Sequence, residues 1–201
     1  MNENFVKAKI CESRGYVAFD VGANHGIYTR LLAERFKKVY AFEPVQTNVD
    51  VLRGAVEGVD NVTIVQRAVS DDTGETSLCV NPGNQGGHTI ALKVYANNPA
   101  WSHIVVPCVT IDDFCKLENV APDLIKMDIE GAEDFAWDGA IHTLTNHDVK
   151  IILEVHDFVD VEHLWNLFRA VGYVAVAENN ELAHSFVNNS HYFIHRPGAG
   201  C

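Results

Sequence analysis

The chain has 201 residues, of which 47% are hydrophobic and 21% charged, so it can bury a full core and still form one domain. Its formal net charge of −12 argues against a nucleic-acid partner, because binding to phosphates needs a clustered positive surface. No apolar run approaches the roughly 18 residues that span a bilayer, so no membrane association is expected.

The first residues and the cysteines predict a cytoplasmic protein. Residues 1–13 are polar and mixed in charge, without the apolar segment of a secretory signal. The five cysteines are odd in number and lack C-x-x-C spacing, which indicates reduced thiols rather than disulfides or a zinc site. The sequence has no internal repeat or linker, and we expect a single domain over residues 1–201.

The first predicted strand, helix and second strand form a nucleoside-binding unit. A strand over Tyr16–Val21 runs into the turn Gly22-Ala23-Asn24-His25-Gly26, a helix follows near Gly26–Phe36, and a second strand over Val39–Glu43 ends in an acid. Glycines let the backbone turn sharply and approach a ligand, and the start of the helix offers unpaired N–H groups. The Glu43 carboxylate is placed to accept hydrogen bonds from ribose hydroxyls.

The glycine spacing narrows the identity of the nucleoside. A dinucleotide fingerprint reads G-x-G-x-x-G, and its middle glycine makes room for a pyrophosphate. Here that position is Asn24, whose side chain crowds a pyrophosphate but not a smaller, cationic ligand. Asp20, just before the turn, suits a ligand that carries an ammonium and a sulfonium. The pattern Asp20-x-Gly22-x-x-x-Gly26 is similar to the first motif of class I methyltransferases, which bind S-adenosylmethionine.

Further strands and helices alternate along the chain, as is typical of a parallel sheet covered on both faces. Strands are predicted at 62–69, 76–80, 124–128 and 150–156, and helices near 47–55, 132–144 and 161–171.

Two regions depart from this alternation. Residues 81–107 are rich in Asn, Gly and Pro, and a stretch this long predicts a lid or substrate loop. Near the end, Tyr173–Ala177 and His191–His195 predict an antiparallel strand pair, which is typical of the methyltransferase sheet and not of the dinucleotide fold.

Four polar side chains follow two of the predicted strands and are the candidate catalytic group. Asp128 and Glu130 share a side by the strand's period of two, as do Glu154 and His156. Open α/β sheets bind ligands at the carboxyl ends of their strands, so we expect the four to lie over one cleft. Glu133 falls in the first turn of the next helix, where a carboxylate can serve the helix dipole.

The motifs, taken in order, resemble the FkbM methyltransferase family from about Phe19 to His156. The most specific block is Lys126-Met127-Asp128-Ile129-Glu130-Gly131-Ala132-Glu133. Besides the glycine turn, the other agreeing segments are Phe42-Glu43-Pro44, Ala68-Val69-Ser70-Asp71, Val109-Thr110-Ile111-Asp112-Asp113-Phe114 and Leu153-Glu154-Val155-His156. One departure is His25, where the family more often has an apolar residue.

This resemblance implies a fold, a reaction and a set of cofactor contacts. The fold is a class I, Rossmann-like α/β sandwich with a mostly parallel sheet and a C-terminal antiparallel strand pair. The reaction is S-adenosylmethionine-dependent O-methylation of a small-molecule or glycosidic hydroxyl. The implied cofactor-binding residues are Gly22, Asn24 and Gly26 for the methionine part, Glu43 for the ribose and Arg67 and Ala68 for the adenine, with Asp20 and Ala23 in the same turn.

Methyl transfer to a hydroxyl also needs help with deprotonation, because an alkyl hydroxyl does not ionise at neutral pH. His156 is the candidate base, by its reference pKa of about 6.5, with Glu154 or Asp128 orienting it. Alternatively, Asp128, Glu130, Glu154 and His156 hold a divalent metal ion that acidifies the hydroxyl. We favour the version without a metal, because acids that alternate on strand ends are a weaker metal signal than a defined coordination loop.

Two other functions compete with methyl transfer. A nicotinamide-dependent oxidoreductase is disfavoured by Asn24 and by the antiparallel pair. A non-catalytic S-adenosylmethionine-binding protein is disfavoured by the presence of all four candidate catalytic side chains. The sequence predicts neither an oligomeric state nor the identity of the acceptor.

Overall fold

The computed structural model of the chain describes residues 2–80 and 102–198. In chain order its elements are α1 (Glu3–Glu12), β1 (Gly15–Val21), α2 (Ile27–Ala33), β2 (Phe36–Phe42), α3 (Gln46–Ala55), β3 (Val62–Val65), β4 (Ala68–Val69), β5 (Gly74–Val80), β6 (Ser102–Val109), α4 (Ile111–Glu118), β7 (Leu124–Met127), α5 (Glu133–Asp138), α6 (Ile141–Asn146), β8 (Lys150–Val155), α7 (Val161–Ala170), β9 (Val174–Ala177) and β10 (Ser190–His195).

The main sheet has seven strands in the order β3-β2-β1-β7-β8-β10-β9. The strands from β3 to β8 pair in parallel, whereas β10 runs antiparallel to both β8 and β9. This confirms the predicted mixed α/β fold with its C-terminal antiparallel pair. The chain leaves β1 toward β2 on one side and later returns to β7 on the other, and such a reversal opens a crevice at the carboxyl ends of the strands.

A second, three-stranded sheet has the order β4-β6-β5. The strand predicted over 62–69 is therefore wrong in its continuity, because it divides into β3 and β4 at Gln66 and Arg67, where Arg67 N–H closes a turn on Val65 O at 2.8 Å. Strand β6 pairs antiparallel with β5, from Gly74 opposite Cys108 to Val80 opposite Ser102. The predicted lid over 81–107 thus ends inside β6, and its residues 81–101 lie outside the described part of the chain.

Two further differences concern helices. The helix predicted over 132–144 is divided into α5 and α6, because the chain turns at Gly139 where it approaches the backbone of Ser70; a Cβ at Gly139 would lie 2.4 Å from Ser70 O. Helix α4 was not predicted, although its start carries a capping signal: Thr110 Oγ1 accepts the Asp113 N–H at 2.9 Å.

The core lies on both faces of the main sheet. On one face Phe19, Tyr40, Phe42 and Phe114 meet edge to face, with ring centroids 4.8–5.6 Å apart. On the other face a smaller cluster joins α1 and α2 to the sheet. Among the described residues, no helix is both long and apolar enough to cross a membrane.

The close approach at Gly139 predicts a strong local constraint on stability. We expect Gly139→Ala to lower the free energy of unfolding by about 2 kcal/mol, because the added methyl group collides with backbone that cannot swing aside. Gly54→Ala in α3 is the matched control, since nothing lies within 4 Å of its added Cβ and alanine favours a helix. Urea unfolding measures both; equal stability of the two variants would contradict the prediction.

Candidate active site

A cavity of about 640 Å³, including its open mouth, lies at the carboxyl ends of β1, β2 and β7. Open α/β sheets bind their ligands in a crevice at this position. Five predicted cofactor residues line it: Gly22, Asn24, Glu43, Arg67 and Ala68. Two predicted catalytic residues, Asp128 and Glu130, lie on its wall as well.

The glycine turn is fixed by how closely it lies against its neighbours. Gly22 has φ of 78°, and a Cβ there would be 1.9 Å from the carbonyl oxygen of Asp128. Gly26 has φ of 85°, caps α2, and would place a Cβ 2.7 Å from Leu52 Cδ1. Both positions therefore require glycine, both for conformation and for space. Asn24 also has a positive φ, of 47°, which asparagine tolerates better than most residues.

Glu43 joins this turn to the start of α3. Its Oε2 accepts the Asn24 N–H at 3.0 Å, and its Oε1 accepts the Val45 N–H at 2.9 Å and the Asn48 amide at 3.4 Å. Burial raises the pKa of the Glu43 carboxyl, and the hydrogen bonds from these backbone N–H groups oppose that shift. Oε2 has a further lone pair, so the carboxylate can still accept a hydrogen bond at the cavity wall.

Asp20 does not line the cavity. It is fully buried beneath the turn, where Oδ2 accepts the Thr29 hydroxyl at 2.6 Å and Oδ1 lies 3.3 Å from Lys126 Nζ. Burial raises the pKa of Asp20, and the Lys126 charge acts against this shift. Ala23 and Gly26 also lie outside the cavity lining. These three residues shape the turn from behind.

Lys126 is the residue that connects the turn to the candidate catalytic group. Its buried Nζ donates to Gly22 O at 3.0 Å and lies 3.7 Å from Asp128 Oδ2. The ammonium also lies 5.2 Å from the centroid of the Tyr28 ring. Sequence reasoning gave Lys126 no role, although a lysine inside a buried apolar strand is itself a signal of a paired charge.

The four predicted catalytic residues come together around His156. Its Nε2 lies 3.6 Å from Asp128 Oδ1, 3.8 Å from Glu130 Oε2 and 3.5 Å from Glu154 Oε1. We call Asp128, Glu130, Glu154 and His156 the acidic cluster. It adjoins the cavity through Asp128 and Glu130.

Glu133 holds this cluster in place and does more than serve the helix dipole. Its buried Oε1 lies 2.7 Å from His156 Nδ1 and accepts the N–H groups of Ile129 and Gly131 at 3.3 Å each. By taking Nδ1, Glu133 turns Nε2 of the ring toward Asp128 and Glu130. The same carboxylate fixes the loop that carries Glu130, whose φ is 60°.

Two pKa values in the acidic cluster are raised, that of His156 by its carboxylate neighbours and that of Glu130 mainly by burial. Burial disfavours the charged imidazole, but the hydrogen bond with Glu133 and the charges of Glu133, Asp128 and Glu130 raise the pKa of His156 to about 9. Burial raises the pKa of Glu130 to about 7; the His156 charge opposes this, and the neighbouring carboxylates add to it. At neutral pH the imidazole is therefore charged, and Glu130 is close to half ionised.

A divalent ion could be held in the same place. Asp128, Glu130 and His156 each offer one ligand atom, and these atoms all lie within 4.8 Å of one another. Without an ion, the protonated imidazole of His156 supplies the positive charge that lies between the carboxylates.

Comparisons with known proteins agree with this architecture. Solved structures that superpose on the chain share little sequence with it and show its fold. The FkbM methyltransferase of Methylobacillus flagellatus KT superposes with a TM-score of 0.60 at 18% identity, over 90% of this chain and 43% of that one. The chain thus spans less than half of that longer protein.

Two other structures match over nearly their whole length. SMU.1697c of Streptococcus mutans, described as a methyltransferase and solved in complex with SAH, has a TM-score of 0.52 at 11% identity, with 97% of both chains covered. An rRNA methylase from Streptococcus thermophilus has a TM-score of 0.54 at 10% identity, over 98% of this chain and 96% of that one. No curated protein has a matching sequence.

The sequence itself matches the methyltransferase FkbM domain over residues 20–175, well over half of the chain. That range begins at Asp20, under the glycine turn, and extends past the acidic cluster into β9. Membership of a methyltransferase family also removes the support for a nicotinamide-dependent oxidoreductase. The chain belongs to the FkbM methyltransferase family.

Proposed function

We propose that this protein transfers the methyl group of S-adenosylmethionine to a hydroxyl oxygen of a small or glycosidic acceptor. The observation that carries the proposal is the contact between two sites: a cavity lined by five of the predicted cofactor residues and, on its wall, a cluster that can accept a proton. The non-catalytic alternative uses only the first of these sites.

We assign the parts of the cofactor to the cavity residues by their chemistry. Glu43 accepts the ribose hydroxyls, and the glycine turn lies against the amino-acid portion. Arg67 and Ala68 border the adenine. Asp128, on the same wall, then faces the sulfonium across the cavity, where a carboxylate stabilises positive charge.

The reaction needs placement and a proton acceptor. The hydroxyl oxygen attacks the methyl carbon in line, the carbon–sulfur bond breaks, and its electron pair stays on sulfur, which becomes a neutral thioether. Positioning the two reactants supplies much of the acceleration. The hydroxyl proton must go to a base whose pKa is near the working pH.

We assign this base as Glu130 rather than His156, which sequence reasoning favoured. A base needs a free lone pair, and the His156 ring is protonated at neutral pH because Glu133, Asp128 and Glu130 raise its pKa to about 9. Glu130 lines the cavity, and its raised pKa of about 7 makes it a stronger base than an ordinary carboxylate. The charged His156 ring lies 3.8 Å from Glu130 and holds it in position.

The charge around the site favours an uncharged acceptor. Six carboxylates outnumber the three basic side chains Lys126, His156 and His191; they are those of Asp20, Asp128, Glu130, Glu133, Glu154 and Glu178. Phosphate groups would be repelled by this surplus and by the net charge of −12. Although one structure of similar fold is named an rRNA methylase, we therefore propose a small neutral acceptor and no nucleic-acid substrate.

A screen with methyl-labelled S-adenosylmethionine tests the reaction and the acceptor class together. Neutral methyl glycosides and polyols, the corresponding sugar phosphates, and total RNA are offered in parallel. We expect label in neutral hydroxyl compounds alone. Labelled RNA or sugar phosphate would contradict the acceptor class, and loss of activity in EDTA with recovery in Mg²⁺ would reassign the activation step to a metal.

Glu43→Gln tests the cofactor site. The substituted amide keeps one acceptor but presents an NH₂ group to a backbone N–H of Asn24 or Val45, so the turn loses a charged hydrogen bond. We expect the Kd for S-adenosylmethionine to rise roughly 10- to 100-fold in isothermal titration calorimetry. Glu57→Gln, on an exposed turn, is the matched control; cofactor affinity that is equal in both variants would count against the assignment.

The pH dependence of methyl transfer tests the base. Glu130 is active when ionised, so kcat/KM should rise as pH rises through about 7. It should fall again above about 9, where His156 loses its proton and no longer holds Glu130 in place. In Glu130→Gln we expect roughly a 100-fold loss and no acid limb, with Glu57→Gln unchanged. An acid limb that persists in Glu130→Gln would assign the base elsewhere.

A further inference from the structure

A second histidine, His191, lies behind the acidic cluster and is not explained by the cavity. It is on β10, opposite Glu154 of β8, and its side chain is only 4% exposed. Burying an imidazole is costly unless both ring nitrogens find partners, and here both do.

The two nitrogens of His191 face two different carboxylates. Nε2 lies 3.2 Å from Glu154 Oε2, and Nδ1 lies 2.5 Å from Glu178 Oε1, which also accepts the His191 backbone N–H at 3.1 Å. Glu178, at 33% exposure, reaches the surface, where its Oε2 accepts the Asn2 amide at 2.7 Å.

Glu154 uses its two oxygens for two different histidines. Oε1 lies 3.5 Å from His156 Nε2, and Oε2 lies 3.2 Å from His191 Nε2. Among the described residues, Glu154 Oε2 and His191 Nε2 have no hydrogen-bond partner besides this contact. The orientation of the Glu154 carboxylate toward the site therefore depends on His191.

The other groups around His191 leave it as the counter-ion of Glu154. Phe5 of α1 meets its ring edge to face at 6.4 Å, and Lys126 of β7 and Asp128, which follows β7, border the same narrow space. The Lys126 ammonium is already engaged by Asp20, Asp128 and Gly22 O. Burial disfavours a charged His191, but Glu154 and Glu178 on its two sides raise its pKa.

We propose that His191 is a positioning residue for methyl transfer, which holds Glu154 ionised and directed at His156 and thereby sets the proton balance of the acidic cluster. This inference rests on the proposed function. It gives the antiparallel strand β10 a part in the chemistry, although β10 contributes no residue to the cavity wall.

The charges predict the direction in which replacement of His191 moves the acid limb of the pH profile. Removal of a positive charge behind Glu154 makes the cluster more negative, and a more negative surrounding favours the protonated form of Glu130. The acid limb of the pH profile should therefore move to higher pH in His191→Gln, by about half a unit to one unit. A purely structural role would lower activity at every pH without moving the limb.

The test compares wild type, His191→Gln and the control His195→Gln, which alters another histidine of β10 that bonds only Arg196 O among the described residues. The substrate is the neutral glycoside that gives the highest turnover in the acceptor screen. We expect about a tenfold lower kcat at pH 7 in His191→Gln, an upward shift of the acid limb, and a KM for S-adenosylmethionine within twofold of wild type. His195→Gln should match wild type, and an unshifted limb in folded His191→Gln would overturn the proposal.

A second measurement does not depend on an acceptor. In ¹⁵N-histidine NMR titrations of the cofactor-free protein, we expect His191 to titrate above the ordinary histidine range and its pKa to fall in Glu178→Gln, which keeps the ring but removes a negative partner. A His191 ring that is neutral at pH 7 overturns the inference even if hydroxyl methylation is established. If instead His191 is charged but no hydroxyl is methylated, it is the proposed function that fails.

Discussion

The site depends on one buried ammonium group. Lys126 Nζ lies among Asp20 Oδ1, Asp128 Oδ2 and the carbonyl oxygen of Gly22, at 3.3, 3.7 and 3.0 Å. These partners come from the end of β1, from the loop after β7 and from the glycine turn. Because an isolated buried charge is so unfavourable, the three partners must stay in place for the lysine to stay charged. The glycine turn and the loop that carries Asp128 are thus held at a fixed separation by one side chain.

The acidic cluster follows the same principle with a different cation. Here the charged ring of His156 lies among Asp128, Glu130 and Glu154, and Glu133 holds its far nitrogen. Asp128 belongs to both groups, since one oxygen faces Lys126 and the other faces His156. The Asp128 carboxylate therefore links the ion pair beneath the glycine turn to the charges of the acidic cluster.

Much of this arrangement could be predicted from the sequence, because parallel strands end at one edge and place their last side chains together. Glu43, Asp128, Glu130 and His156 were found in this way. The direction of a side chain was harder to predict. Asp20 lies under the turn and not in the cavity, because its neighbour across the sheet is Lys126, and strand pairing is not visible in a single sequence.

The missed residues share a physical reason. Glu133 and His191 act through partners that are far along the chain, at His156 and Glu154, so no local spacing marks them. The division of one predicted strand into β3 and β4 has a similar cause. The second half, β4, pairs with β6, and Ala68 lies opposite Cys108, some forty residues away along the chain. Local sequence patterns predict where strands and helices lie, whereas pairing between distant segments determines whether a strand is continuous.

The pairing of β5 with β6 has a consequence for how such a protein can diversify. Val80 and Ser102 lie opposite each other as the last pair of the ladder, so the two ends of the stretch over residues 81–101 are fixed side by side, on the same strand pair as the cavity residue Leu78. When the two ends of a segment are already fixed side by side, lengthening the segment costs free energy only as the logarithm of its length. A change in the length of the stretch over residues 81–101 would thus leave the pairing of β5 with β6, and with it the Leu78 side of the cavity, in place.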